Sequence, residues 1–323
     1  MNNNLENLLK ASRKVYQKIS PLDPFGLTDD LVQFKGQSAS DLIKAKLMGD
    51  APAMVARFGM VELHCMLNYH FVKQNKPLPQ KLFYYISGRS FPFWWDSAVA
   101  REMSKNAGFI KPTFPDLQRF CELMDEDMKQ VDILASWMRG EQVFSGKMPD
   151  VKTISIWAIE PFKHANPWSE ALEGKTVLVV HPYDDSIKKQ YERRGDLFAD
   201  KRVLPDFKLK TIKAVQSIAF NETAYKTWFE ALDYMKKQIS DTEFDVAIIG
   251  CGAYGFPLAA HVKRLGKKSI HMGGATQVLF GITGRRWEDD PYFKDNFINE
   301  HWVRPSKSET PQQFAKIEDG CYW

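Results

Sequence analysis

Several short stretches of this 323-residue chain have the residue types and spacing that chemistry needs. One is Gly250-Cys-Gly-Ala-Tyr-Gly255, a G-x-G-x-x-G run between the apolar Val246 to Ile249 and a helical pattern from Pro257 to Leu265. Glycines let a backbone approach a ligand closely, and N–H groups at a helix start favour phosphate or carboxylate. Gly250, Gly252, Tyr254 and Gly255 are therefore candidate nucleotide contacts, with close packing of helix on sheet as the competing reading. A second stretch places Arg57 in the apolar run Ala53 to Phe58, followed by Gly59 and Glu62. A guanidinium in such a run needs a partner, and Glu62 or a ligand phosphate would serve. Glu62 also suits a solvent-facing place at a helix start. Two more candidates end apolar runs. His181 closes Thr-Val-Leu-Val-Val and can contact ribose or phosphate. Gln277, beyond Gly273 and Gly274, can hydrogen-bond a base or sugar; packing is the alternative for both.

Other features carry less. A nicotinamide dinucleotide needs an acid roughly 20 residues after the first glycine to hold its ribose. The chain has none there before Glu288, so a mononucleotide or sugar-diphosphate is favoured over NAD. Asp125-Glu126-Asp127 contains D-x-D but sits in a helical pattern, where a solvated acidic face is the simpler reading. The aromatic run Phe91 to Trp95 either stacks on a sugar or fills a core. Arg285 and Arg286, beside the second glycine pair, are further candidates to touch ligand. Cysteines at 65, 121, 251 and 321 form no C-x-x-C, which suggests neither zinc nor a disulfide framework and fits a reducing cytoplasm.

Elements alternate around these residues. Helices are expected over residues 1–20, from Ser38 to about Gly49, over Val61 to Tyr69, through Lys105, from Phe114, from Pro182 to about Phe198 and over Asn221 to Ile239. Strands are expected at Ala53 to Phe58, Val131 to Trp137, Lys152 to Trp157, Lys175 to His181, Phe207 to Val215, Val246 to Ile249 and Ser269 to His271. This alternation predicts an α/β, Rossmann-like, mostly parallel doubly wound sheet with helices on both faces and ligands at strand carboxyl ends. The expected organisation is a helical segment over 1–50, an α/β body over 51–290 with an aromatic-rich insertion at about 75–130, and a packed tail over 291–323 that could cover the ligand.

Composition sets the outer bounds. Hydrophobic content of 44% with 26% charged residues is ordinary for a globular protein, and a net charge of +4 is too small to imply nucleic acid. No apolar run reaches spanning length, so any membrane link is expected to be peripheral.

Two of these stretches together resemble the GT-D-fold glycosyltransferases, bacterial enzymes of surface-glycan and glycoprotein assembly. Ala56-Arg-Phe-Gly-Met-Val-Glu62-Leu is similar to the family's run of Arg, an aromatic or aliphatic residue, Gly, then D-x-E; the other stretch is Gly250 to Gly281. The resemblance implies sugar transfer from a nucleotide-diphosphate donor to a glycan or glycoconjugate acceptor in cell-surface polysaccharide synthesis. It also implies a divalent cation, Mn²⁺ or Mg²⁺, on the D-x-E acids. Met60 replaces the first acid here, leaving Glu62 as sole metal ligand or, instead, as the base for the acceptor hydroxyl, with Arg57 on phosphate. The alternatives are a degenerate GT-D domain that binds nucleotide or glycan as a scaffold, and another nucleotide-sugar chemistry such as pyruvyl transfer.

Overall fold

A computed structural model describes residues 3–317 and 320–323. Its centre is one seven-stranded sheet: β1 (Ala53–Ala56), β2 (Ile133–Ser136), β3 (Lys152–Ser155), β4 (Thr176–His181), β5 (Lys208–Lys213), β6 (Val246–Ile249) and β7 (Lys268–His271). The order is β3-β2-β1-β7-β6-β4-β5, and every pairing is parallel. The expected doubly wound α/β fold is therefore present, and one sheet unites both halves of the chain.

β1, β2 and β6 are buried on both faces because their residues feed two cores in alternation. Met54, Ala56, Leu134, Ala247 and Ile249 face the core built with the Met60–Lys73, Phe114–Met128, Trp228–Ser240 and Gly255–Arg264 helices. Val55, Ile133, Val246, Ile248 and Ile270 face the other, with the Gly36–Met48, Asp184–Glu192 and Ala275–Leu279 helices. β5 at the edge is half-covered, as its alternation predicts. In the C-terminal segment Trp302 is buried and donates its indole N–H to the Leu197 carbonyl at 3.1 Å. The Thr283 N–H donates to the Val303 carbonyl at 2.7 Å and the Val303 N–H to the Gly281 carbonyl at 3.0 Å, along the same segment.

Several local expectations are corrected. The helix expected from Asn221 begins at Trp228, because Ala219 and Phe220 take positive φ values of 58° and 59° and Thr227 caps the Glu230 N–H at 3.1 Å. The helix expected to reach Phe198 breaks at Arg193. The aromatic run is irregular; Asp96 caps the next helix at Ser97, while Trp94 is buried and Trp95 stacks on Tyr69 and Phe114. Within the acidic stretch Asp127 is fully buried and ion-paired with Arg264 at 2.6 Å, so only its neighbours form a solvated face. All four cysteines are buried free thiols.

Candidate functional site

The backbone leaving β1 and that leaving β7 go to opposite faces of the sheet, as do those leaving β4 and β6. Such divergences open crevices at strand carboxyl ends. The candidate residues divide between the two crevices, which lie two strand spacings apart, about 10 Å.

At the β1/β7 crevice Arg57 follows the last residue of β1, and Gly59 caps the next helix without a side-chain hydrogen bond. Glu62 in its first turn folds back, so that a Cβ on Gly59 would lie 2.0 Å from Glu62 Oε2. Burial raises the Glu62 carboxyl above its ordinary value, opposed by its own backbone N–H and by Arg57. Arg57 lies over the Trp137 ring, 5.2 Å from its centroid, and donates from Nε to the Phe58 carbonyl at 3.2 Å. That carbonyl also accepts the Trp137 indole N–H at 3.0 Å, which ties β1 to β2 beneath the guanidinium. Among the described residues, no carboxylate comes within ion-pair distance of Arg57. The expected Arg57–Glu62 partnership is thus a longer-range attraction.

Two further groups face Arg57 that the sequence did not single out. Glu141, after β2, is buried; its carboxylate accepts from Ser136 Oγ and from the Trp137 N–H at 3.3 Å. Burial pushes it up to about 7, against the Ser136 and backbone hydrogen bonds and, last, Arg57. His271 ends β7, buried and lowered to about 3 by burial and then by Arg57, so its ring is neutral. Among the described residues its Nδ1 has no hydrogen-bond partner, and neither has Oγ1 of fully buried Thr276. His271 was legible only as the end of a strand. Nothing local marked Glu141.

The glycines explain how these side chains fit. Gly273 has φ +62°, and a Cβ there would lie 2.5 Å from Arg57 Nη1. A Cβ on Gly255 would meet His271 Nε2 at 2.2 Å; one on Gly250 would meet the Gly273 carbonyl and Thr276 Oγ1, each at 2.5 Å. Gly252, at φ +57°, presses on the Ala107 carbonyl, and Gly274 on the Tyr322 ring. The glycines of the G-x-G-x-x-G turn therefore make room for protein groups. Tyr254 is likewise internal, stacked on Trp228 at 5.0 Å with its hydroxyl 3.1 Å from Ser217 Oγ. Gln277 is buried, and its amide nitrogen donates to the carbonyls of Ile282, Thr283 and Tyr322. Both side chains are held by internal partners.

The β4/β6 crevice is filled by the chain itself. His181, lowered to about 3 by burial, accepts the Tyr183 N–H on Nδ1 at 3.0 Å. Trp323 lies 6.4 Å from Tyr183, ring to ring, and Glu309 reaches the start of the Asp184–Glu192 helix. Glu309 accepts from the Asp185 and Ser186 N–H groups at 3.0 and 3.1 Å, from Ser186 Oγ, and from Ser306 N and Oγ at 3.2 and 2.6 Å. It is a helix cap supplied from a distant segment.

A close group of candidate cation ligands occurs among the described residues at the β4/β6 crevice and not at Glu62. Glu62 belongs to no group of three close candidate ligands among the described residues, and Met60 beside it is exposed. Asp184, Asp185 and Glu309 do bring their ligand atoms within 4.8 Å of one another. Glu309 is engaged as a cap and Asp184 Oδ2 carries Lys188 at 2.9 Å, while Asp184 Oδ1 has no hydrogen-bond partner among the described residues.

Comparison with protein-family models, curated proteins and solved structures gave no match, so no relative lends a role to any of these residues.

Proposed function

We propose that the chain is a nucleotide-sugar-dependent glycosyltransferase whose donor diphosphate meets Arg57 at the β1/β7 crevice and whose acceptor base is Glu62. The observation that supports this reading is the Arg57 guanidinium. It stands at the carboxyl end of a central strand, oriented by Trp137 and Gly273, with Nη groups that no carboxylate of the described residues approaches within ion-pair range. A bidentate cation so placed suits a phosphate. Glu62 takes the acceptor hydroxyl proton as the acceptor oxygen bonds the anomeric carbon. The bond from that carbon to the diphosphate oxygen breaks, and the diphosphate leaves with the electron pair while Arg57 offsets its charge. A carboxyl raised by burial is a stronger base than an ordinary glutamate. No step runs through a metal.

Met60 in the place of an acid favours a second reading, a domain that binds a nucleotide or glycan without turnover. Thermal shifts with a panel of nucleoside diphosphate sugars, with and without Mn²⁺, followed by an assay for released nucleoside diphosphate, separate the two. Release that does not require Mn²⁺ and is lost in Glu62→Gln supports transfer. A thermal shift without release supports the binding domain. A melting temperature unmoved by every nucleotide sinks both.

A further inference from the structure

The Asn3–Ile19 helix is docked on the body by one side only. Leu9 is buried against Tyr85 and Trp94, Lys10 pairs with Asp96 at 2.9 Å, and Arg13 donates to the Ser90 carbonyl at 2.6 Å. Leu5, Leu8, Ser12, Val15 and Ile19 follow one another at alternating spacings of three and four, which places them on one stripe of the helix. That stripe turns away from the body: Leu8 is 62% exposed, Val15 61% and Ile19 81%. Leucine, valine and isoleucine this exposed at regular spacing are an unpartnered apolar face.

The charge around the stripe says what covers it. Glu6 is the only acid between residues 4 and 20, against Lys10, Arg13, Lys14 and Lys18. The adjoining Leu78–Ile86 helix adds exposed Leu78 and Phe83, and residues 73–89 contain Lys73, Lys76, Lys81 and Arg89 with no acid. A second copy of this chain, docking by two-fold symmetry, would bring the same basic patch against itself. An anionic lipid surface supplies the opposite charge and an apolar layer together. No described helix is long and apolar enough to cross a membrane, so the contact is one of lying on the surface.

We infer that the Leu5–Ile19 stripe and its flanking lysines form a membrane-surface contact that selects anionic lipid headgroups. This inference is independent of the catalytic reading.

Co-sedimentation of the full chain with phosphatidylcholine vesicles, and with vesicles containing about one-third phosphatidylglycerol, tests it. Binding is expected to the anionic vesicles only and to weaken as salt rises. The triple change Leu8→Ser, Val15→Ser and Ile19→Ser is expected to lower that affinity roughly tenfold or more at an unchanged melting temperature. The pair Lys14→Glu and Lys18→Glu, which leaves the apolar stripe whole, is expected to do the same. Equal binding to neutral and anionic vesicles, binding by the triple variant at wild-type strength, or absence of binding overturns the inference. Light scattering that finds a dimer which the triple variant dissolves also overturns it, by giving the stripe to a second copy.

Discussion

Arg57 Nη1 occupies the space that a side chain at residue 273 would need, since a Cβ on Gly273 would lie 2.5 Å from it. Residue 273 is therefore bound to glycine twice, by its φ of +62° and by the guanidinium. Gly266 is held by the first constraint alone, with φ +77° and nothing near its missing side chain.

That pair makes a controlled experiment. Gly266→Ala is expected to cost about 1–2 kcal/mol of stability through backbone strain. Gly273→Ala carries a similar strain and also displaces Arg57. It is expected to abolish the nucleotide-dependent thermal shift that Gly266→Ala retains. Equal nucleotide shifts in both variants would separate Arg57 from the ligand.

Glu62 gives a kinetic prediction. As general base it must be ionised, so kcat/KM should fall on the acid side through a pKa above the ordinary glutamate value, the direction burial imposes. Glu62→Gln is expected to lower turnover by about 10²–10⁴-fold, to remove that acid limb, and to leave donor affinity within about tenfold. A variant that turns over normally excludes Glu62 as the base.

The sequence carried the fold further than the site, for a physical reason. Buried parallel strands such as Val246 to Ile249 are continuous apolar runs bounded by glycine, and that signal is local. Arg57 was legible for the same reason, as a charge misplaced in such a run. Long-range packing decided the rest. Gly255 accommodates His271, and Gln277 serves the carbonyl of Tyr322, 45 residues on. Nothing near Glu141 in the chain announces Arg57, which belongs to a different strand.

Glu309 separates a cap from a metal site. An acid in a vacant cation site repels its neighbours, so removing it from metal-free protein would stabilise the fold. An acid that holds the N–H groups of Asp185 and Ser186 does the reverse. Glu309→Ala is expected to cost about 2–3 kcal/mol in the presence of chelator, measured by denaturant unfolding. A more stable variant would return the cluster to a cation.

Glu141 should appear in the pH dependence of stability. Its folded pKa of about 7 lies above the unfolded value near 4.5, so between those values the folded state binds more protons than the unfolded state. Its contribution is therefore fully present below pH 4.5 and is lost as pH rises through 7. His271 and His181 act oppositely. Lowered to about 3 from 6.5, they weaken the fold as pH falls from 6.5 toward 3. The two effects overlap in wild type, and a difference measurement isolates the carboxyl. Glu141→Gln removes only the first of them, keeping an acceptor for Ser136 Oγ. Relative to wild type the variant should gain on the order of 3 kcal/mol between pH 4.5 and 7, read from urea unfolding across that range. A flat difference would mean that Glu141 is ionised in the folded protein throughout, and that the field around Arg57 contains one more fixed negative charge than the burial of this carboxyl allows.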